Sequence, residues 1–135
     1  MVIGAIAFTL MCGNPMRASD MSPTSSGELS VLSQPGVVLE WLEFRVDATE
    51  REEFLLKDEQ VWTAALRQQP GFLHKSSVLS PNNSEFVGFL IYWANREEWK
   101  AFPEELIIEL DRQMQPTSAE LISSREYPVW SHETE

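Results

Sequence analysis

Between Phe86 and Ala94 the chain reads FVGFLIYWA. Val87, Phe89, Ile91 and Trp93 fall on one alternating set, and Phe86, Leu90 and Tyr92 on the other. Successive strand side chains point to opposite faces, so a strand apolar on both sets has to bury both. In a single domain of 135 residues, helices can cover one face of its sheet. The other face then needs a different cover, such as a second subunit. The strand leads straight into a helix, with Asn95 placed to cap it and Glu98 three residues on, the spacing of a capping box.

Upstream, MVIGAIAFTLMCG is apolar enough for the central region of a signal peptide, but no Lys or Arg precedes it. Cys12, following Thr9, Leu10 and Met11, resembles a bacterial lipoprotein signal in part. Met11, Met16 and Met21 are alternative starts. A cytoplasmic chain, an exported one and one anchored through residues 1–20 all remain open. Ser, Pro, Thr and Gly dominate from Asn14 to Gly36, the composition of a flexible leader. The expected organisation is an apolar segment and leader over 1–36, one folded domain over 37–130, and a frayed tail over 131–135.

Within the domain, VVLEWLEFRV alternates as a strand, with Val38, Glu40, Leu42, Phe44 and Val46 on one side and Leu39, Trp41, Glu43 and Arg45 on the other. Asp47 or Thr49 can cap the helix that follows, which reads to about Gln69, where Pro70-Gly71 stops it. Phe72 to Leu79 is a second strand, and SPNNSE turns it into a hairpin with the doubly apolar one. A short helix over Arg96 to Phe102 is broken at Pro103. A second helical piece follows, with Leu106, Ile107, Leu110 and Met114 as its apolar stripe. Leu121 to Trp130 is the last strand. Strand, helix, strand, strand, helix, strand is the ferredoxin-like βαββαβ order, an α+β fold with a four-stranded antiparallel sheet and helices on one face. Leu39, Trp41, Phe86, Leu90 and Tyr92 are left on the open face, which predicts a homodimer through it.

Net charge is −11, which argues against nucleic acid or an anionic membrane as partner. The single Cys excludes an internal disulfide and a cysteine metal cluster. No apolar run approaches the length of about 18 residues that a membrane-spanning helix needs.

With the elements in this order, LEFRVDATEREEF, QQPGFL and LIYWANREEWKAF resemble the dimeric α+β barrel superfamily, in particular its antibiotic-biosynthesis-monooxygenase-like domains. EWLEFRVD, KDEQVWTAAL, QPGFL, YWANREEWKAFP and SSREY are similar to a small group of uncharacterised cyanobacterial proteins. The resemblance spans about Val37 to Trp130. It implies a cleft between sheet and helices, and a superfamily of cofactor-free oxygenases, haem-degrading enzymes, other enzymes and members without known reaction. Trp93 stands where haem-degrading members keep a tryptophan, but Glu40 stands where they keep an asparagine. Residues 104–115 contain no histidine to ligate haem.

Polar groups aimed into such a cleft are the candidates for acid–base chemistry. At 100° per residue, Phe54, Asp58, Val61, Trp62 and Ala65 share one sector of the first helix, with Asp58 near its middle. A carboxylate on a packed face is raised in pKa by desolvation unless it is paired, and a paired structural role is the other reading. Glu40 shares its strand face with apolar residues, but lies near the strand start, where water can reach it. Trp62, Trp93, Phe89, Phe54 and Leu42 can line a slot for a flat apolar ligand, or simply pack as core. His74 alternates with Phe72 and Ser76, which would turn it toward the helices. One histidine with two distant acids is not a metal signature.

Two functions follow as expectations. The first is a dimeric binder of a small apolar or aromatic molecule, able to oxidise it without a cofactor through Asp58, Glu40 or His74. The second is a non-catalytic binding or stress-related module.

Overall fold

The computed structural model describes residues 31–130 apart from position 33. The N-terminal apolar segment, most of the leader and the tail over 131–135 lie outside the described residues.

Strand β1 (Val38–Arg45) leads through a 3-10 turn (Ala48–Glu50) into the first helix, α1. That helix is α-helical over Arg51–Asp58, widens to a π turn over Glu59–Thr63 and closes with Ala64–Leu66. Strands β2 (Phe72–Ser80) and β3 (Asn83–Trp93), helices α2 (Arg96–Lys100) and α3 (Glu104–Met114), and strand β4 (Glu120–Pro128) complete the domain. The sheet runs β2-β3-β1-β4, with every neighbouring pair antiparallel. It is a ferredoxin-like sandwich with its helices on one side, as the element order predicts. The sequence-based ends differ modestly: α1 stops at Leu66 rather than near Gln69, and β4 is Glu120–Pro128.

Local signals account for the element boundaries. Asp47 accepts from the Thr49 amide at 3.0 Å and satisfies the first open donor of the following turn. Asn95 accepts from the Glu98 amide at 2.8 Å, and its amide donates to the Glu98 carboxylate at 3.1 Å. The capping pair thus closes side chain to side chain.

Alternation decides what the sheet buries. Val38, Glu40, Leu42 and Phe44 of β1 pair with Trp93, Ile91, Phe89 and Val87 of β3, and all eight are buried. Phe44, Phe54 and Phe89 form an aromatic cluster with ring centroids 5.7 to 6.2 Å apart. Burying each such ring is worth about 1.5–3 kcal/mol.

Two strands depart from strict alternation. In β2, Phe72 pairs with Trp93 but His74 pairs with Tyr92, so Leu73 is an extra residue in the ladder. In β4 the register shifts between the partners of Glu43 and Phe44.

The connection from α1 to β2 depends on Gly71, whose φ of +86° only glycine adopts without strain. A β-carbon there would lie 2.6 Å from Cβ of Glu98, and the Gly71 carbonyl accepts from the Ala94 amide at 2.7 Å. Gly71→Ala therefore combines backbone strain with a clash against α2. It should destabilise the domain by about 2–4 kcal/mol, read as a lower urea midpoint at unchanged slope.

Candidate functional site

Between the sheet and the helices lies a cavity of about 420 Å³, counted out into its open mouth. Leu42, Phe44, Phe89 and Ile91 floor it from β1 and β3, and Trp62, Leu66 and Phe102 face them from the helical layer. Polar groups interrupt this apolar lining at Glu40, Asp58 and Lys75 and at the indole N–H groups of Trp62 and Trp93.

Glu40 is 3% exposed. Its Oε1 accepts from the Trp93 indole Nε1 at 3.0 Å. Burial pushes its pKa up to about 7, against the opposing pull of that hydrogen bond and of Lys100 and Lys75. A carboxyl poised there can both take and return a proton near neutrality. The strand start does not leave it in water, because Val37 and Val38 are themselves buried.

Asp58 is also 3% exposed, but it is matched by a cation. Lys75 Nζ lies 2.5 Å from its Oδ2 and donates to the Thr63 hydroxyl at 2.8 Å. The same ammonium lies 4.5 Å from the centroid of the Phe89 ring. Burial raises the Asp58 pKa first, with Lys75 opposing it. Removing either partner of a buried pair strands a charge, so these groups are mutually locked.

The π turn sits where this lock is made. Its five residues run from Glu59 to Thr63, directly after Asp58, and carry Trp62 and Thr63 inward. A π turn winds more slowly than an α-helix. Phe54, Asp58, Trp62 and Leu66 are therefore all buried, where a uniform 100° projection selects Val61 and Ala65, which are only half-buried. Trp62 is 6% exposed and lines the cavity, and its indole N–H has no hydrogen-bond partner among the described residues.

Of the sequence candidates, Glu40, Asp58, Trp62, Trp93, Phe89 and Leu42 meet at this cavity. Phe54 does not line it but packs behind it, against Phe44 and Phe89. His74 does not reach it: the extra residue Leu73 turns His74 to the open sheet face beside Tyr92, where Nε2 lies 2.9 Å from the Ser76 hydroxyl. The same bulge turns Lys75 inward opposite Ile91. Lys75 is the polar cavity residue that alternation from Phe72 assigns to the wrong face. The sequence signal that could find it is chemical, since a buried Asp58 calls for a cation. Among the described residues no cluster of three or more His, Cys, Asp and Glu is arranged to hold a metal ion.

No protein-family model matches the chain, and no curated protein matches it by sequence. Solved structures match by fold. A conserved protein of unknown function from Bacteroides thetaiotaomicron, suggested to be an oxidoreductase, superposes with a TM-score of 0.55 at 18% identity, covering 70% of this chain and 98% of its own. The cofactor-independent oxygenase SnoaB of Streptomyces nogalater gives 0.52 at 15% identity, over 73% of this chain and 96% of its own. A Chloroflexus aurantiacus protein provisionally classed as an antibiotic biosynthesis monooxygenase gives 0.55 at 17%, over 73% and 98%. At these identities the likeness is one of fold.

The raised pKa of Glu40 has a consequence for stability. Between the ordinary glutamate value of 4.5 and about 7 the folded chain binds this proton more tightly than the unfolded chain. Glu40 ionisation therefore removes stability as pH rises through that window. Glu40→Gln keeps the acceptor for Trp93 without the charge. The variant should gain about 2–3 kcal/mol relative to the parent from about pH 5 to about pH 8, measured by urea denaturation at both pH values.

Proposed function

We propose that this domain binds a small planar aromatic molecule between sheet and helices and oxidises it with dioxygen without a cofactor, Glu40 acting as the base. The observation that carries this reading is the buried Trp62 N–H, left without an acceptor among the described residues, on the wall of the cavity that also holds Glu40. A buried donor without a partner costs about 1–3 kcal/mol, which a ligand oxygen would recover. Aromatic walls suit a flat ring system.

The chemistry fits a fused-ring phenol or its keto tautomer. Glu40 removes a C–H proton while Trp62 donates to the substrate oxygen on which negative charge gathers. The carbanion adds dioxygen to give a hydroperoxide anion, which takes its proton from Glu40. Loss of water from the hydroperoxide leaves a carbonyl. A methylene and one dioxygen thus become a ketone and one water, with no external reductant. Asp58 is less suited to this role than Glu40, because its carboxylate is engaged by Lys75. Likeness of fold to a cofactor-independent oxygenase is consistent with the reading, but the side chains argue for it.

A second reading, a non-catalytic binding module, is supported by that same engagement of Asp58. Anthrone separates the two. Oxygen consumption with formation of anthraquinone should be seen, with kcat/KM rising with pH through about 7, the value to which burial raises Glu40. Glu40→Gln should abolish it, and Trp62→Phe should weaken anthraquinone binding about fivefold to tenfold. Binding with no oxygen consumption would assign the domain to the second reading.

We also propose that a second copy of the chain covers the open sheet face. Leu39, Trp41, Phe86, Leu90 and Tyr92 occupy it and are only half-buried among the described residues. Trp41 lies so close over Gly88 that a β-carbon at that position would be 2.6 Å from the indole, which keeps the centre of the face flat. Trp41→Glu should convert a dimer to a monomer in sedimentation equilibrium.

A further inference from the structure

Glu40 has a charged neighbourhood that reaches the surface. Glu126 of β4 stands directly opposite it in the ladder, which places both side chains on the helix-covered face with Cβ atoms about 5 Å apart. The Glu126 side chain is 32% exposed and receives Arg96 Nε at 2.5 Å. Arg96 and Lys100 open and close α2, four residues apart, and so project from one side of it. Lys100 Nζ lies 3.7 Å from the centroid of the Trp99 ring, within electrostatic reach of Glu126, Arg96 and Glu40.

We infer that Lys100 and Glu126 are positioning residues for Glu40: Lys100 is shared between the buried carboxyl and the half-exposed one, and Glu126, itself held by Arg96, decides how much of that positive charge Glu40 receives. The inference rests on the reading of Glu40 as the proton acceptor.

Every element around Glu40 enters this balance. From β2 comes Lys75, which is committed to Asp58 of α1. From β3 comes the Trp93 N–H. Lys100 and Arg96 come from α2, and Glu126 from β4. Lys75 is fixed by its buried partner, whereas the outer three charges lie in or near water. The adjustable part of the field at Glu40 is therefore the outer one. Burial holds the Lys100 pKa below its ordinary value and Arg96 reinforces that, while Glu126 and Glu40 oppose it, as acids beside a cation do.

The test needs no substrate. With glutamate carboxyls labelled with carbon-13, the Glu40 titration is followed by NMR in the parent and three variants. Lys100→Met should raise the Glu40 midpoint, and Glu126→Gln should lower it, each by roughly half a pH unit. Arg96→Gln alters only an exposed side chain, and so keeps the test intact if Lys100→Met fails to fold. It should raise the midpoint, because an unpaired Glu126 draws Lys100 outward. A parent midpoint near 7 that stays put in all variants, or moves the same way in all, would overturn the inference and leave Glu40 as the base. A parent midpoint at the ordinary carboxyl value would remove the base reading and, with it, the inference.

Discussion

The burial of β3 on its inner side is the constraint from which the rest of this domain follows. Val87, Phe89, Ile91 and Trp93 are nearly inaccessible, so a continuous helical layer has to lie over them. The wide first helix, with its π turn, and the paired pieces α2 and α3 make that layer. The layer fits imperfectly at one place, and the misfit is the cavity. Its walls are the same aromatic side chains that make the core, which explains why core and cavity could not be told apart in the sequence.

The element order was legible because it rests on local chemistry. Asp47 and Asn95 cap as their positions suggest, Pro70-Gly71 turns the chain where glycine is required, and the SPNNSE turn joins β2 to β3. Inward-facing residues of β1 were legible for the same reason, since eight residues of unbroken alternation leave one assignment.

What could not be read were departures from periodicity. One added residue in β2 exchanges the faces of His74 and Lys75, and one slow turn in α1 replaces Ala65 by Leu66 on the buried side. Neither leaves a composition signal, because both are set by what the segment packs against. The errors were therefore confined to particular side chains, and they fell at the site. Asp58 was placed correctly on the packed face, yet its cation was invisible.

Two carboxyls share the cavity, and their surroundings separate them. Asp58 meets the Lys75 ammonium, which also donates to the Thr63 hydroxyl and ties the acid into the packing of helix on sheet. Glu40 meets an indole donor, its cations stand farther off, and burial raises its pKa to about 7. The two carboxyls thus differ in partner, Asp58 tying helix to sheet through an ion pair and Glu40 held by an indole. The bulge at Leu73 carries this division one step further. A ladder that ran without interruption from Phe72 would offer imidazole to the cavity in place of ammonium, with no residue replaced. The polar character of this interior is thus encoded in strand pairing as much as in amino-acid identity. Lineages sharing the fold could change the chemistry of the pocket by shifting where one residue loops out.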